Sequence, residues 1–247
     1  KSQFLSNMSH ELRTPLNSLL ILSKALYENN EGNLTDKQIE FARTIHSAGS
    51  DLLVLIDDVL DISKIEAGVM SIEVQEEPIK DLCAGIKSSF EILAQEKGLA
   101  FNLEFDKNCP RFVRTDGRRL LQILRNLISN SIKFTEKGSI TLAVKTVENG
   151  WTRENEILYN ADTVLAFEVS DTGIGIAEDK QEIVFEAFQQ ADGTTNRKFG
   201  GSGLGLAISR ELARLIGGEI KLKSKPDEGS VFTVFLPSRL GRKTVKT

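Results

Sequence analysis

The stretch SHELRTPLNSL, residues 9–19, sets one of only two histidines in the chain between a serine and a glutamate. A neutral imidazole is a nucleophile near pH 7, and the carboxylate of Glu11 can accept a proton from one ring nitrogen of His10 while the other attacks. His46 stands between Ile45 and Ser47 and lacks such a neighbour. On a helix at about 100° per residue, His10 falls roughly 160° from the mean direction of Leu5, Leu12 and Leu19, so it is expected to face solvent. A solvated surface histidine would do the same, and geometry alone leaves that reading open. Thr14 follows one turn later on the same face, and Pro15 removes the hydrogen bond that would otherwise reach the carbonyl of Glu11. A costly interior proline beside a reactive side chain favours function over accident.

A second set of candidate residues reads as a nucleotide site. In NLISNSIKFT, residues 126–135, Asn126, Asn130 and Lys133 recur at steps of four and three and share one helix face. The carboxamide of Asn130 suits a magnesium ion that otherwise binds water and phosphates, and Lys133 supplies a point charge for phosphate. VSDTGIGI then ends a strand-like run at Asp171, a carboxylate able to accept from an adenine amino group, with Gly173 and Gly175 permitting a tight turn. In GGSGLGLAISREL, glycines 200, 201, 203 and 205 run straight into an amphipathic helix. Free amides at such a helix start suit a triphosphate, although a glycine-rich loop alone is also a plain flexible turn. FEAFQQADGTTNRKFGG, with Phe185 and Phe188, lies between these motifs and is expected to act as a mobile lid.

These residues need elements to hold them. Leu5, Met8, Leu12, Leu16, Leu19 and Leu26 recur at helical steps, and NNEGNLT breaks the pattern before Thr35 and Gln38 form a capping box for a second helix. That helix carries a heptad-like seam of Phe41, Ile45, Ala48, Leu52, Leu55, Val59 and Ile62, widened by Leu53, Ile56 and Leu60 beyond what one partner helix covers. Residues 1–68 are therefore expected to form a hairpin that pairs with a second copy as a four-helix bundle. After Gly68, a helix-capping position, strand-like runs alternate with amphipathic helices. Strands are expected near 70–74, 100–105, 139–147, 164–170, 219–224 and 230–236, with helices near 79–96, 117–134 and 204–216. The overall class is α+β: a helical hairpin, then over residues 69–237 an α/β sandwich with helices on one sheet face. Residues 149–162 read as a polar connection that holds the only tryptophan, and 238–247 as a basic frayed tail.

Composition narrows the function classes. A chain of 247 residues with 40% hydrophobic content can bury one large or two modest cores. A net charge of −4 argues against nucleic-acid binding, which needs a concentrated basic face. The longest aliphatic run, Leu52–Ile56, is far too short to span a bilayer, and two cysteines without metal-ligand spacing fit a reducing, cytoplasmic setting.

Taken in order, SHELRTP, NLISNSIKFT, DTGIGI, FEAF and GGSGLGL resemble the phosphorylation, asparagine, first glycine, phenylalanine and second glycine motifs of the sensor histidine kinases of two-component signalling. The resemblance covers residues 1 to about 237. It implies a Bergerat-type ATP-binding domain, phosphorylation of His10 with Glu11 as general base, Mg²⁺ at Asn130 and adenine reading by Asp171. Implied nucleotide contacts extend over Asn126, Lys133, Gly173, Gly175, Phe185, Phe188, Gly201, Gly203 and Gly205. Thr14 takes the place of a polar residue that supports phosphatase activity. The implied cofactors are ATP and Mg²⁺, and the implied partners are a second copy through residues 1–68 and the receiver domain of a response regulator. The motif style is similar to that of hybrid kinases, so a catalytic core of a longer protein is expected, with membrane contact only through an upstream sensor region. Two alternatives remain at this point. A gyrase- or chaperone-type ATPase would place a glutamate one turn before the metal-binding asparagine, where this chain has Asn126; an inactive scaffold would bind nucleotide without using His10.

Overall fold

A computed structural model describes residues 2–187, 189 and 203–240, with side chains from Glu11 onward. The chain divides into two compact units, Lys1–Met70 and Ser71–Thr247. The first is a helical hairpin of α1 (Ser2–Glu28) and α2 (Asp36–Glu66). Thr35 caps α2 reciprocally: its hydroxyl accepts from the Gln38 amide, and Gln38 Oε1 accepts from the Thr35 amide at 2.8 Å. Gly68, with φ +65°, follows the last turn and donates to the Ile65 carbonyl at 2.9 Å.

The helices of the hairpin approach through small residues. Leu16, Ser23, Ala42, Gly49 and Leu60 are the buried positions among its described side chains, and a Cβ on Gly49 would stand 3.0 Å from Leu20 Cδ2. Arg13 also donates to Asp57 across the hairpin at 2.6 Å. The heptad seam lies elsewhere: Phe41, Ile45, Ala48, Leu52 and Val59 stay exposed, while Leu55 and Ile62 are half-buried. α1 therefore packs beside the seam without covering it.

In the second unit, β1 (Gln75–Pro78) precedes α3 (Ile79–Glu96), β2 (Leu99–Phe105), β3 (Phe112–Thr115) and α4 (Gly117–Phe134). Then come β4 (Gly138–Val147), the short α5 (Glu156–Tyr159), β5 (Val164–Asp171), two 3₁₀ turns (Glu178–Lys180 and Ile183–Phe185), α6 (Gly205–Leu215), β6 (Glu219–Lys225) and β7 (Gly229–Pro237). The main sheet has the order β2-β4-β5-β7-β6, and only β2 and β4 run parallel. A parallel pair needs a long crossover, which α4 provides. Leu142, Val169 and Phe232 lie in one row across β4, β5 and β7, and Val144, Phe167 and Val234 in the next. All six are buried, as are Leu120, Leu124, Leu127 and Ile128 of α4.

Three expectations need correction. The strand expected at 70–74 is irregular, and the strand lies instead at Gln75–Pro78, paired antiparallel with Phe112–Thr115. Met70, Ile72 and Val74 do alternate inward, but the Glu73 amide bonds to Asp116 Oδ2 rather than to a neighbouring strand. The polar QEEP run gave no hydrophobic signal to mark β1. Secondly, residues 149–162 do more than connect: Leu158 and Trp151 pack on Val164, Ala166 and Phe235, which covers the opposite sheet face. Thirdly, Ser238–Leu240 do not fray, since Arg114 donates to the Ser238 carbonyl and Leu240 to the Arg114 carbonyl, each at 2.9 Å. Residues 241–247 lie outside the described part.

Candidate active site

The second unit gathers most of the expected nucleotide residues around the C-terminal half of α4. Asp171, the last residue of β5, is half-buried and accepts three hydrogen bonds. Its Oδ1 accepts from the amides of Gly173 at 2.9 Å and Ser230 at 3.3 Å, and its Oδ2 accepts from Ser131 Oγ at 3.1 Å. Burial pushes the carboxyl above the usual aspartate range, and these three bonds to the charged form oppose the rise. The result is a fixed acceptor at a strand end.

Three glycines of the expected glycine motifs are required by close approach. Gly175 has φ +67°, and a Cβ there would lie 1.9 Å from the Lys225 carbonyl oxygen. A Cβ on Gly205, the first residue of α6, would lie 2.3 Å from Asn126 Oδ1. Asn126 in turn donates through Nδ2 to the buried Ser209 Oγ at 2.9 Å. The helix that follows the glycine loop is thereby seated on α4. Gly173 also sits tight against α4, where a Cβ would be 2.6 Å from the Phe134 carbonyl oxygen. Gly203 has φ +71°. Phe188 and residues 190–201 of the expected lid, Gly201 among them, lie outside the described residues.

Asn130 is half-buried, and its carboxamide has no hydrogen-bond partner in the described structure. No group of three or more His, Cys, Asp or Glu side chains able to hold a metal occurs among the described residues. A single carboxamide oxygen with phosphate and water completing the shell is the donor set that magnesium accepts, so the residues present fit that ion. Lys133 lies over the Phe134 ring at 4.9 Å, and partial burial lowers its ammonium below the usual lysine range. Phe185 is 7% exposed, edge-on to Phe232 at 6.2 Å and beneath Arg210. It anchors its segment in the core.

Sequence reasoning missed Ser131, Ser209 and Ser230. The first was detectable, because Leu120, Leu124, Leu127 and Ser131 recur at steps of four, three and four along one stripe of α4. A hydroxyl in an apolar stripe needs a buried partner.

Two family descriptions match the chain. His Kinase A (phospho-acceptor) domain covers residues 1–68, and histidine kinase-, DNA gyrase B- and HSP90-like ATPase covers residues 115–240. The chain belongs to the sensor histidine kinases. This kinase sequence is 40% identical over 242 residues to the circadian input-output histidine kinase CikA of Synechococcus elongatus, covering 97% of this chain and 30% of CikA. It is 39% identical over 232 residues to the signal transduction histidine-protein kinase BarA of Escherichia coli, covering 94% of this chain and 24% of BarA. The chain thus spans less than a third of either relative. Full-length ShkA, solved in complex with AMPPNP, superposes with a TM-score of 0.76 at 30% identity over 96% of this chain and 46% of ShkA.

Within the hairpin of the kinase, His10 belongs to α1, and its side chain lies outside the described ones. Glu11 and Thr14 are exposed, and Pro15 lies inside the helix. His46 is packed within the hairpin. It is half-buried, with its ring edge-on to Tyr27 at 5.2 Å, and Arg43 covers the same tyrosine. That packing accounts for His46 structurally.

Proposed function

We propose that this chain is the catalytic core of a histidine kinase that autophosphorylates His10 from ATP and passes the phosphoryl group to a receiver-domain aspartate. In this reading residues 1–68 are the dimerisation and phosphotransfer domain and residues 69–237 the ATP-binding domain. The carrying observation is that a phospho-acceptor match and an ATPase-family match occupy one chain, with His10 in the first and the Asp171 site in the second.

A ring nitrogen of His10 attacks the γ-phosphorus, the bond to the ADP oxygen breaks, and Glu11 accepts the proton shed by the imidazole. Asp171 accepts from the adenine amino group, while Asn130 and Lys133 face the phosphates. Asn130 would hold Mg²⁺, which supplies charge neutralisation at the phosphate oxygens. The second unit acts mainly by positioning and electrostatics. Water hydrolysis is disfavoured by Asn126, a carboxamide tied to Ser209 that offers no general base.

The exposed stripe on α2 is the homodimer surface in this proposal. Thr14 orients the water that hydrolyses a phosphorylated receiver, and the fragment works in the cytoplasm. No described helix is long and apolar enough to cross a membrane.

Incubation with γ-labelled ATP and Mg²⁺ tests the reaction. Acid-labile label is expected on wild type and His46→Gln, and none on His10→Gln. Label persisting on His10→Gln overturns the assignment.

A further inference from the structure

Asp171 is useful to a base-reading site only while it accepts hydrogen bonds. Adenine presents an amino group at the edge where guanine presents a carbonyl oxygen, so an acceptor-only carboxylate welcomes the first and repels the second. Protonation would turn the carboxyl into a donor and remove that discrimination. The surroundings of Asp171 press toward protonation, since burial is the largest influence on it.

What opposes that pressure is specific. Oδ1 receives the Gly173 and Ser230 amides, and both belong to the backbone, so they are independent of side-chain identity. Oδ2 receives one side-chain donor, Ser131 Oγ at 3.1 Å. Ser131 is 2% exposed and lies on α4 next to Asn130, so the helix that carries the candidate metal ligand also carries the hydroxyl that steers the base-reading acid. Among the described groups that bond to Asp171, none is charged. Gly173 and Ser230 do not titrate, and Thr135, whose Oγ1 would lie 2.9 Å from a Cβ on Gly173 as does Asp171 Oδ1, is likewise a neutral hydroxyl.

We propose that Ser131 is a positioning residue that holds the Asp171 carboxylate as an acceptor and thereby sets the preference of the site for an adenine nucleotide over a guanine nucleotide. This rests on the reading of Asp171 as the base contact. The serine hydroxyl donates its only proton to Oδ2, which aims the remaining lone pair of that oxygen and stabilises the charged form. Without it the carboxyl keeps two donors in place of three and takes up a proton at higher pH.

The test is calorimetric titration of ATP and of GTP into the whole chain from about pH 8 to about pH 4.5. Wild type, Ser131→Ala and Ser131→Cys are compared. Titration of the nucleotide phosphate is common to all three proteins, so the difference between profiles reports on the site. At neutral pH, Ser131→Ala is expected to bind ATP within a few-fold of wild type. On acidification its ATP affinity should begin to fall about one pH unit earlier, and its ATP-over-GTP preference should narrow over the same interval. Ser131→Cys, a weak donor, should fall between the two. A merely structural role would lower thermal stability and leave the pH midpoint in place.

Superimposable pH profiles for wild type and Ser131→Ala overturn this inference. If in the same series wild type binds ATP and Asp171→Asn does not, the nucleotide-site reading stands while Ser131 loses its role. Equal ATP binding by wild type and Asp171→Asn overturns both.

Discussion

The hairpin and the sandwich solve opposite problems with the same kind of helix. In the sandwich, α4 buries its apolar stripe against the sheet, and two of its polar side chains are tied to neighbouring elements: Asn126 to Ser209, Ser131 to Asp171. In the hairpin, ten large apolar side chains from Leu12 to Val59 stay exposed, Ile21, Leu22 and Val54 among the most open. The sandwich is complete as one chain and its chemistry is preorganised. The hairpin is complete as a hairpin only in its capping and in the close approach of Gly49 to Leu19 and Leu20, and its remaining described surface is strongly apolar. In the reaction proposed above, the two regions would have different tasks, because one must hold charge still while the other must be reached.

The contrast is sharpest at Asp171. Asp171→Asn should lower ATP affinity at least about tenfold by removing the charged acceptor, yet leave the oligomeric state unchanged. Calorimetry with light scattering on the same sample checks both halves. A change in oligomeric state would mean that the two regions are not independent.

Leu52→Glu attacks the other side of the comparison. Leu52 is 48% exposed on the single chain, so the substitution should leave the hairpin folded but weaken self-association by about 100-fold, since it places a carboxylate in an apolar seam. Sedimentation should show monomer at concentrations where wild type is dimeric, with ATP affinity unaltered. A wild-type monomer at micromolar concentration would refute the inferred bundle.

Thr14→Ala separates two activities within the hairpin. The substitution removes a hydroxyl and leaves His10 and Glu11 in place. Autophosphorylation should survive within a few-fold while dephosphorylation of a phosphorylated receiver falls about tenfold or more. Parallel loss of both activities would assign Thr14 to the helix rather than to water.

The smallest effect is thermal and returns to Asp171. A carboxyl whose folded pKa is raised is most favourable to folding below its unfolded value, and that contribution is lost as pH rises through the folded value. At neutral pH the ionised, partly buried Asp171 therefore costs stability, and Asp171→Asn should melt about 1–3 °C above wild type. The difference should shrink as pH falls toward about 4. Thermal melts at two pH values check the sign, and a lower melting temperature for the variant at neutral pH would show that the lost hydrogen bonds outweigh the relieved burial.

Local chemistry was legible without coordinates wherever it depends on neighbours in the chain. The Thr35–Gln38 box, the positive φ at Gly68, and the approximate spans of α3, α4, α6 and the five sheet strands follow from periodicity and capping, which act over three or four residues. The motif order likewise sufficed to name a family. Three things were decided only by the tertiary structure. β1 exists because Phe112–Thr115 offers it a ladder, and nothing in QEEP announces that partner. Trp151 and Leu158 cover the second sheet face because the register of β5 and β7 presents Val164, Ala166 and Phe235 there, whereas their own surroundings in sequence are polar. The clamp on Asp171 joins α4, β5 and β7 through residues 131, 171 and 230. Hydrogen bonds between residues so far apart in the chain depend on distances in space, and those distances are set by how the helices and strands pack.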